Sequence, residues 1–461
     1  MNETDKTSEN SAENLKITIV CFIAATFFIY YFSNPKPQQY YDYTFRVAEN
    51  ILRGGGVGFT EKPPSWLNEF VPFGGEWYSV FPFGAVVTMI PFAVFKTVGI
   101  VKEMPGTFIA ALSASVISFF LFLISSRYEH AWKKHVLLIS SVLFGTWMWT
   151  NLTFAGAWQL ALGLAMIGEL GAIYFTVYNR KPLLAGAFFA LAFGNRTENL
   201  LTAPIFMFLL SRPARLQNSV PKFSKTERSI KEKKRAKSKI KNQAIENQGA
   251  ESGFQSIKIE FTLLVIDIRN NPRHLFRILA AFCIVPFFLG ISTLIYNYVR
   301  FASFTDFGYA RIPGVLEEPW YQHGIFSVWY VRGQAYEMLF RLWETKDKFP
   351  YYVPNGFSSS ILLSSPFLFF AFRPGARDKI LKYAAWTAIF VLTFLLWIHG
   401  NSGGWQFGYR YAMILLPWIF LILLENSPRK ITVPEWILYG FSIAANAYAT
   451  YLFHWTEYVK P

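Results

Sequence analysis

Long apolar runs separated by short polar turns dominate the chain, and their lengths predict helices that cross a membrane. Runs of roughly 17 to 25 residues suit about 30 Å of hydrocarbon at about 1.5 Å per residue. Backbone in lipid must close its own hydrogen bonds, which makes such runs helices rather than strands. The pattern predicts spans over 16–33, 108–126, 136–154, 158–178, 183–196, 199–211, 276–299, 360–373, 380–398, 411–425 and 434–453. The first follows an acidic, Asn- and Ser-rich head with no basic leader or small-residue cleavage pattern, so it reads as a retained helix. The expected fold class is an all-α polytopic membrane protein, with about eleven transmembrane helices and juxtamembrane helices on the outer side.

Charge placement orients these spans. With the N-terminus inside, Arg127, Lys133 and Lys134, then Arg180 and Lys181, Arg373, Arg377, Lys379 and Lys382, and Arg429 and Lys430 all fall on the cytoplasmic side. The apolar stretch Phe81 to Val94 is broken by Pro82, Gly84 and Pro91 and reads as re-entrant or interfacial. A full crossing there would turn Arg127, Lys133 and Lys134 outward. Irregular backbone at membrane depth needs protein or a wet cavity around it, so this segment points to an outward-facing site. The organisation expected is an N-terminal transmembrane module (1–211) with a first outer loop (34–107), a basic cytoplasmic loop (212–275), and a C-terminal module (276–461) with an outer loop (300–359).

Composition agrees: 53% of the 461 residues are hydrophobic, 19% aromatic and only 16% charged, too apolar for a soluble fold of this size. The net charge of +15 would suggest nucleic acid if it were spread over a surface. Instead, twelve Lys and Arg against two Glu fall between Arg212 and Lys241 without interleaved aromatics. That run reads as a cytoplasmic segment beside anionic membrane lipid, and nucleic acid is not an expected partner. Cys21 and Cys283 lie far apart in apolar runs, the six histidines form no local ligand pair, and no Asp-x-Asp occurs, so neither a metal nor another cofactor is expected.

Candidate chemistry collects in the outer segments. Asp42 stands among tyrosines in Tyr40-Tyr41-Asp42-Tyr43, at the start of a short amphipathic helix, where a carboxylate can take a proton from an acceptor hydroxyl; the plainer reading is an ion pair with Arg46. Arg196 and Glu198 interrupt two apolar half-runs, as a polar pathway would or as a local ion pair in a hairpin. Gly403-Gly404-Trp405-Gln406-Phe407-Gly408-Tyr409-Arg410 offers close backbone approach and an arginine suited to phosphate, or an aromatic belt with its anchor. Asp306, Tyr309, His323 and Arg332 lie in the second outer segment, which reads either as a lid or as a structural loop. Glu169 sits inside a span, either functional or hydrogen-bonded as a neutral acid.

The order of these features resembles the GT-C superfamily of polytopic glycosyltransferases, especially the branch of protein O-mannosyltransferases and lipid A aminoarabinose transferases. Four pieces carry the resemblance: Asp42 with Tyr43, Ala48 and Leu52-x-Gly54; Trp77-Tyr78-Ser79-x-Phe81-Pro82-x-Gly84 with Pro91-Phe92; Gly186 through Arg196-Thr197-Glu198; and Gly404-Trp405-x-Phe407-Gly408-x-Arg410-Tyr411 with Pro417. The family's frequent Asp-Glu pair in the first loop is missing, so Glu49, Glu61, Glu69 and Glu76 stand as alternative acids. The resemblance implies inverting, metal-independent transfer of a sugar from a polyprenyl-phosphate donor to a lipid, glycan or protein acceptor at the outer or lumenal membrane face, and the expected location is a prokaryotic plasma membrane. Asp42 would be the base, and Arg410, with Arg196 or Arg332, would hold the leaving phosphate. Tyr43, Glu49, Lys62, Trp66, Tyr78, Glu198, Asp306, Tyr309, Trp405 and Tyr409 would contact substrate. A lipid-linked sugar transporter or flippase, and an O-antigen ligase or polymerase, are the competing classes.

Overall fold

The computed structural model describes residues 3–212, 262 and 272–459. The expected basic loop falls outside them apart from Arg212, residue 262 and the last few positions before 276. The chain begins with α1 (Glu3–Phe32), the short α2 (Tyr43–Leu52), strands β1 (Gly58–Phe59), β2 (Phe70–Phe73) and β3 (Glu76–Ser79), and α3 (Phe83–Thr97). It continues through α4 (Gly106–Ser125), α5 (Trp132–Phe144), α6 (Met148–Thr153), α7 (Ala157–Ile173, extended by a π-turn to Tyr178), α8 (Pro182–Asn195) and α9 (Ala203–Ser211). After the gap come α10 (Pro272–Phe301), α11 (Val331–Leu339), β4 (Glu344–Thr345), β5 (Tyr352–Val353), α12 (Ile361–Ser364), α13 (Lys379–Ile398), α14 (Leu416–Asn426) and α15 (Val433–Trp455).

Four of these helices are long and apolar enough to cross a membrane: α4, α7 with its π-turn, α10 and α13. A 20-residue helix such as α4 measures about 30 Å. Other expected spans are interrupted. The run 136–154 breaks at Gly145 into α5 and α6, 199–211 and 411–425 each begin as a 3₁₀ turn, and 360–373 is α12 followed by a 3₁₀ segment. Small residues and buried hydroxyls in these runs allow the backbone to change pitch, which hydropathy does not register. The Phe81 to Val94 stretch is helical from Phe83, and the 15 residues of α3 reach only about 22 Å.

The all-α expectation misses a small antiparallel sheet of order β1-β3-β2, with Val71 opposite Tyr78 and Phe73 opposite Glu76. Gly74 and Gly75, at φ +59° and +90°, make the two-residue turn joining β2 to β3. Two successive positive-φ residues are what a tight hairpin needs and what only glycine adopts freely.

α7 is apolar all round and lies at the centre, packed against α4 and α8, while α8 also meets α10 and α3. The α3–α8 approach is backbone to backbone. A Cβ on Gly84 would sit 2.4 Å from the Gly194 Cα.

The helix bundle has two chemically different ends. At one, basic loops are stitched together: Arg212 pairs with Asp378 at 2.9 Å, Lys134 and Arg373 both reach Glu435 at 3.1 and 2.5 Å, and Arg180 donates to the Arg212 carbonyl at 2.9 Å. Buried charges of this kind persist because each has a partner. At the other end lie the start of α7, the last turns of α8 and α13, and the two polar segments 34–107 and 300–359.

Candidate functional site

Those opposite helix ends enclose a cavity of about 1080 Å³. Its walls come from the first polar segment between Gln38 and Pro82, the start of α7, the turn after α8, residues 305–326, and the stretch from Leu395 to Tyr411. Backbone hydrogen bonds fix the first segment on the bundle, with Gln38 N donating to the Phe154 carbonyl at 2.7 Å and Ala157 N to the Tyr41 carbonyl at 2.9 Å. That stitching brings the 60s of the chain against the first turn of α7.

Glu69 results from this placement. It immediately precedes β2, and its carbonyl accepts from Val80 N at 3.1 Å, so the root of the hairpin holds it. Tyr43, fully buried, donates to Asn68 Oδ1 at 3.0 Å and fixes the preceding residue. Both carboxylate oxygens of Glu69 lie 2.9 Å from Trp158 Nε1. No lysine or arginine forms an ion pair with it among the described residues. Burial raises its pKa to about 7, against the lowering effects of the Trp158 hydrogen bond and of Arg410 and Arg196.

Arg410 is the complementary group. The residue is 7% exposed, yet it makes no ion pair among the described residues. Its Nη2 donates to the Tyr411 hydroxyl at 3.3 Å, and its Nε has no partner. Gln406, fully buried, anchors the turn by accepting from Arg410 N at 2.8 Å and donating to the Ser402 carbonyl at 2.9 Å. The Arg410 guanidinium lies 5.1 Å from the Tyr411 ring and 5.8 Å from the Trp158 ring. Arg196 also lies over the Tyr411 ring, at 4.7 Å, and is held by Glu198 Oε1 at 2.6 Å. A buried, unpaired guanidinium is costly unless an anion completes it.

The structure brings together Arg196, Glu198, Arg410, Trp66, Trp405, Asp306 and Tyr309 of the residues picked out by sequence, all on the cavity wall. Asp306 is turned to its own loop, accepting from Gly308 N at 2.7 Å and Arg311 Nε at 2.6 Å. Asp42 does not line the cavity. It pairs with Arg46 one helical turn along α2, at 3.1 Å, and although burial outweighs that pairing and raises its pKa, the carboxylate is held by Arg46 away from the cavity. Glu49 is likewise taken up, by Lys96 at 2.6 Å and Arg53 at 2.9 Å.

Lys62 is exposed and lies over Trp77, Tyr78 donates to Glu76, and Arg332 is exposed on α11; none of the three reaches the cavity. Tyr409 is fully buried behind the wall, donating to Gln334 Oε1 at 2.9 Å. Tyr43 acts one layer back, through Asn68. Glu169 accepts from Trp418 Nε1 at 3.2 Å deep in the bundle. Sequence reading passed over Trp158, Tyr411 and His399 as site residues. No group of three or more metal-ligating side chains occurs among the described residues.

Compared with family models, curated proteins and solved structures, the chain matches none.

Proposed function

We propose that this is a multi-pass glycosyltransferase that moves a sugar from a polyprenyl-phosphate donor to a hydroxyl of a lipid, glycan or protein acceptor. Glu69 is the general base and Arg410, assisted by Arg196, holds the donor phosphate. The acceptor oxygen attacks the anomeric carbon, its proton passes to Glu69, and the bond from that carbon to the phosphate oxygen breaks. Polyprenyl phosphate leaves with the electron pair, and the anomeric configuration inverts.

The observation that carries this reading is the pairing, in one cavity, of a carboxylate whose pKa is about 7 with a buried arginine that has no anion of its own. A base is most effective when its pKa lies near the working pH. A fixed guanidinium stabilises charge that develops on a leaving phosphate. The apolar residues Leu200, Leu201, Leu395 and Phe326 on the same wall suit an isoprenoid tail beside a charged head. The bundle's basic end supports an orientation with that end on the cytoplasmic side and the cavity facing outward.

The experiment is transfer of radiolabelled sugar by the purified protein from a panel of undecaprenyl-phosphate sugars into lipid, glycan and peptide acceptors. Transfer from at least one donor is expected. Donor binding without turnover across the panel would contradict the reading and favour a transporter.

A further inference from the structure

A second group on the same wall has a fixed hydrogen-bond polarity and, among the described residues, one nitrogen with no donor to it. His399 follows the last turn of α13. The backbone on either side is secured to the second polar segment, with Ser327 N donating to the Ile398 carbonyl at 2.7 Å and Gly400 N to the Ile325 carbonyl at 3.0 Å. The imidazole Nδ1 lies 2.8 Å from the Asn401 carbonyl oxygen. A carbonyl only accepts, so Nδ1 carries the hydrogen, and in the neutral ring Nε2 presents a lone pair. Burial, with the positive fields of Arg196 and Arg410, holds the imidazole below its ordinary pKa and so neutral, against the opposing effects of the Asn401 carbonyl and Glu198.

Nothing among the described residues donates to Nε2. Four aromatic rings surround the imidazole, with centroids at 5.4 Å for Phe326, 5.9 Å for Tyr321, 6.1 Å for Tyr411 and 6.3 Å for Tyr309. The Tyr309 and Tyr321 hydroxyls bond to each other at 2.8 Å. The ring lines the cavity beside Tyr411, within the fields of both arginines.

A neutral acceptor repels phosphate and carboxylate oxygens, and the positive fields of Arg196 and Arg410 disfavour a cationic donor, which leaves an uncharged one. Hydroxyls on a ring whose C–H faces pack against aromatics meet that description. We propose that His399 Nε2 accepts a hydrogen bond from a sugar hydroxyl and is a specificity-determining contact for the carbohydrate. This rests on the glycosyl-transfer reading, and it separates the sugar subsite at His399 from the phosphate subsite at Arg410.

Two amides divide the imidazole's roles. In His399→Asn the side-chain NH₂ takes the place of Nδ1 and keeps the bond to Asn401, while the Nε2 acceptor is lost. In His399→Gln the amide oxygen reaches the Nε2 position. Equilibrium binding of undecaprenyl phosphate, bare and carrying mannose, glucose or N-acetylglucosamine, is measured for wild type and both variants, together with kcat/KM for donor and acceptor.

His399→Asn is expected to weaken the sugar-bearing lipid about tenfold, the size of one hydrogen bond, and to leave the bare lipid unchanged. His399→Gln should restore most of the loss. Unchanged donor binding with a similar fall in kcat/KM for acceptor places the contact on an acceptor hydroxyl. Equal weakening of bare and sugar-bearing lipid, or no change in any arm, overturns the proposal while leaving the glycosyl-transfer reading intact. Failure of the wild type to bind any sugar-bearing lipid overturns both.

Discussion

Trp158 Nε1 lies 2.9 Å from both carboxylate oxygens of Glu69, and among the described residues this indole N–H is the only side-chain hydrogen bond that the carboxylate accepts. A donor to a carboxylate favours the ionised form and opposes the effect of burial. Trp158→Phe keeps an aromatic ring and removes that donor. The low-pH limb of kcat/KM, expected at about 7 in the wild type, should move to higher pH in the variant. The sign follows from the role: a base with a raised pKa is protonated and inactive below that pKa, so activity is lost as pH falls through it. A pH–rate profile of both proteins is the check.

Arg410 acts on the donor and on Glu69 together. Arg410→Gln should lower kcat/KM for donor on the order of 100-fold, as loss of a charge-stabilising donor does. It should also move the acidic limb upward, since the Arg410 field lowers the Glu69 pKa. Arg332→Ala, at an exposed position away from the cavity, should leave both unchanged. Steady-state kinetics over varied donor concentration distinguish the two.

Tyr43→Phe removes the hydroxyl that bonds Asn68 at 3.0 Å but keeps the ring among Phe70, Phe81 and Trp158. The hairpin root should loosen while the core stays packed. Loss of that one bond should cost about 1 kcal/mol of stability, with a severalfold fall in kcat and little change in donor affinity. Thermal unfolding and kinetics measured on one preparation test the split.

The Gly84–Gly194 contact sets the depth of the Arg196 turn, two residues beyond Gly194. Gly84→Ala introduces a methyl 2.4 Å from the Gly194 Cα and must part α3 from α8. A loss of about 1–3 kcal/mol is expected, visible as a lower midpoint of thermal unfolding in detergent, with weakened donor binding. Gly440→Ala, where no atom lies within 4 Å of the added carbon, is the matched control.

Helical content and four of the expected apolar spans were legible because hydrophobic length is a local property of the chain. The Arg196–Glu198 pair stood out as charges interrupting apolar runs, and Arg410 as an arginine in a glycine-rich aromatic turn, both local features of the chain. The acid was harder. Asp42 stood out by its tyrosine neighbours, yet Arg46 one turn later takes its charge. Glu69 lies in an irregular turn, and its hydrogen-bond partner Trp158 is 89 positions away, so sequence could name it only as one of four alternatives to Asp42. His399 gained its meaning only when Tyr309, Tyr321 and Phe326 folded over it. The small sheet escaped because its strands span two to four residues, too few for alternation to register.

The most direct measurement is kcat/KM against pH for sugar transfer by wild type, Glu69→Gln and Asp42→Asn, with unfolding midpoints to show that all three are folded. Glu69→Gln should reduce transfer at least about 100-fold and abolish the limb near pH 7, and Asp42→Asn should retain most activity with that limb in place. A folded Glu69→Gln protein that keeps wild-type transfer, or loss of transfer confined to Asp42→Asn, would contradict the assignment of Glu69 as the base.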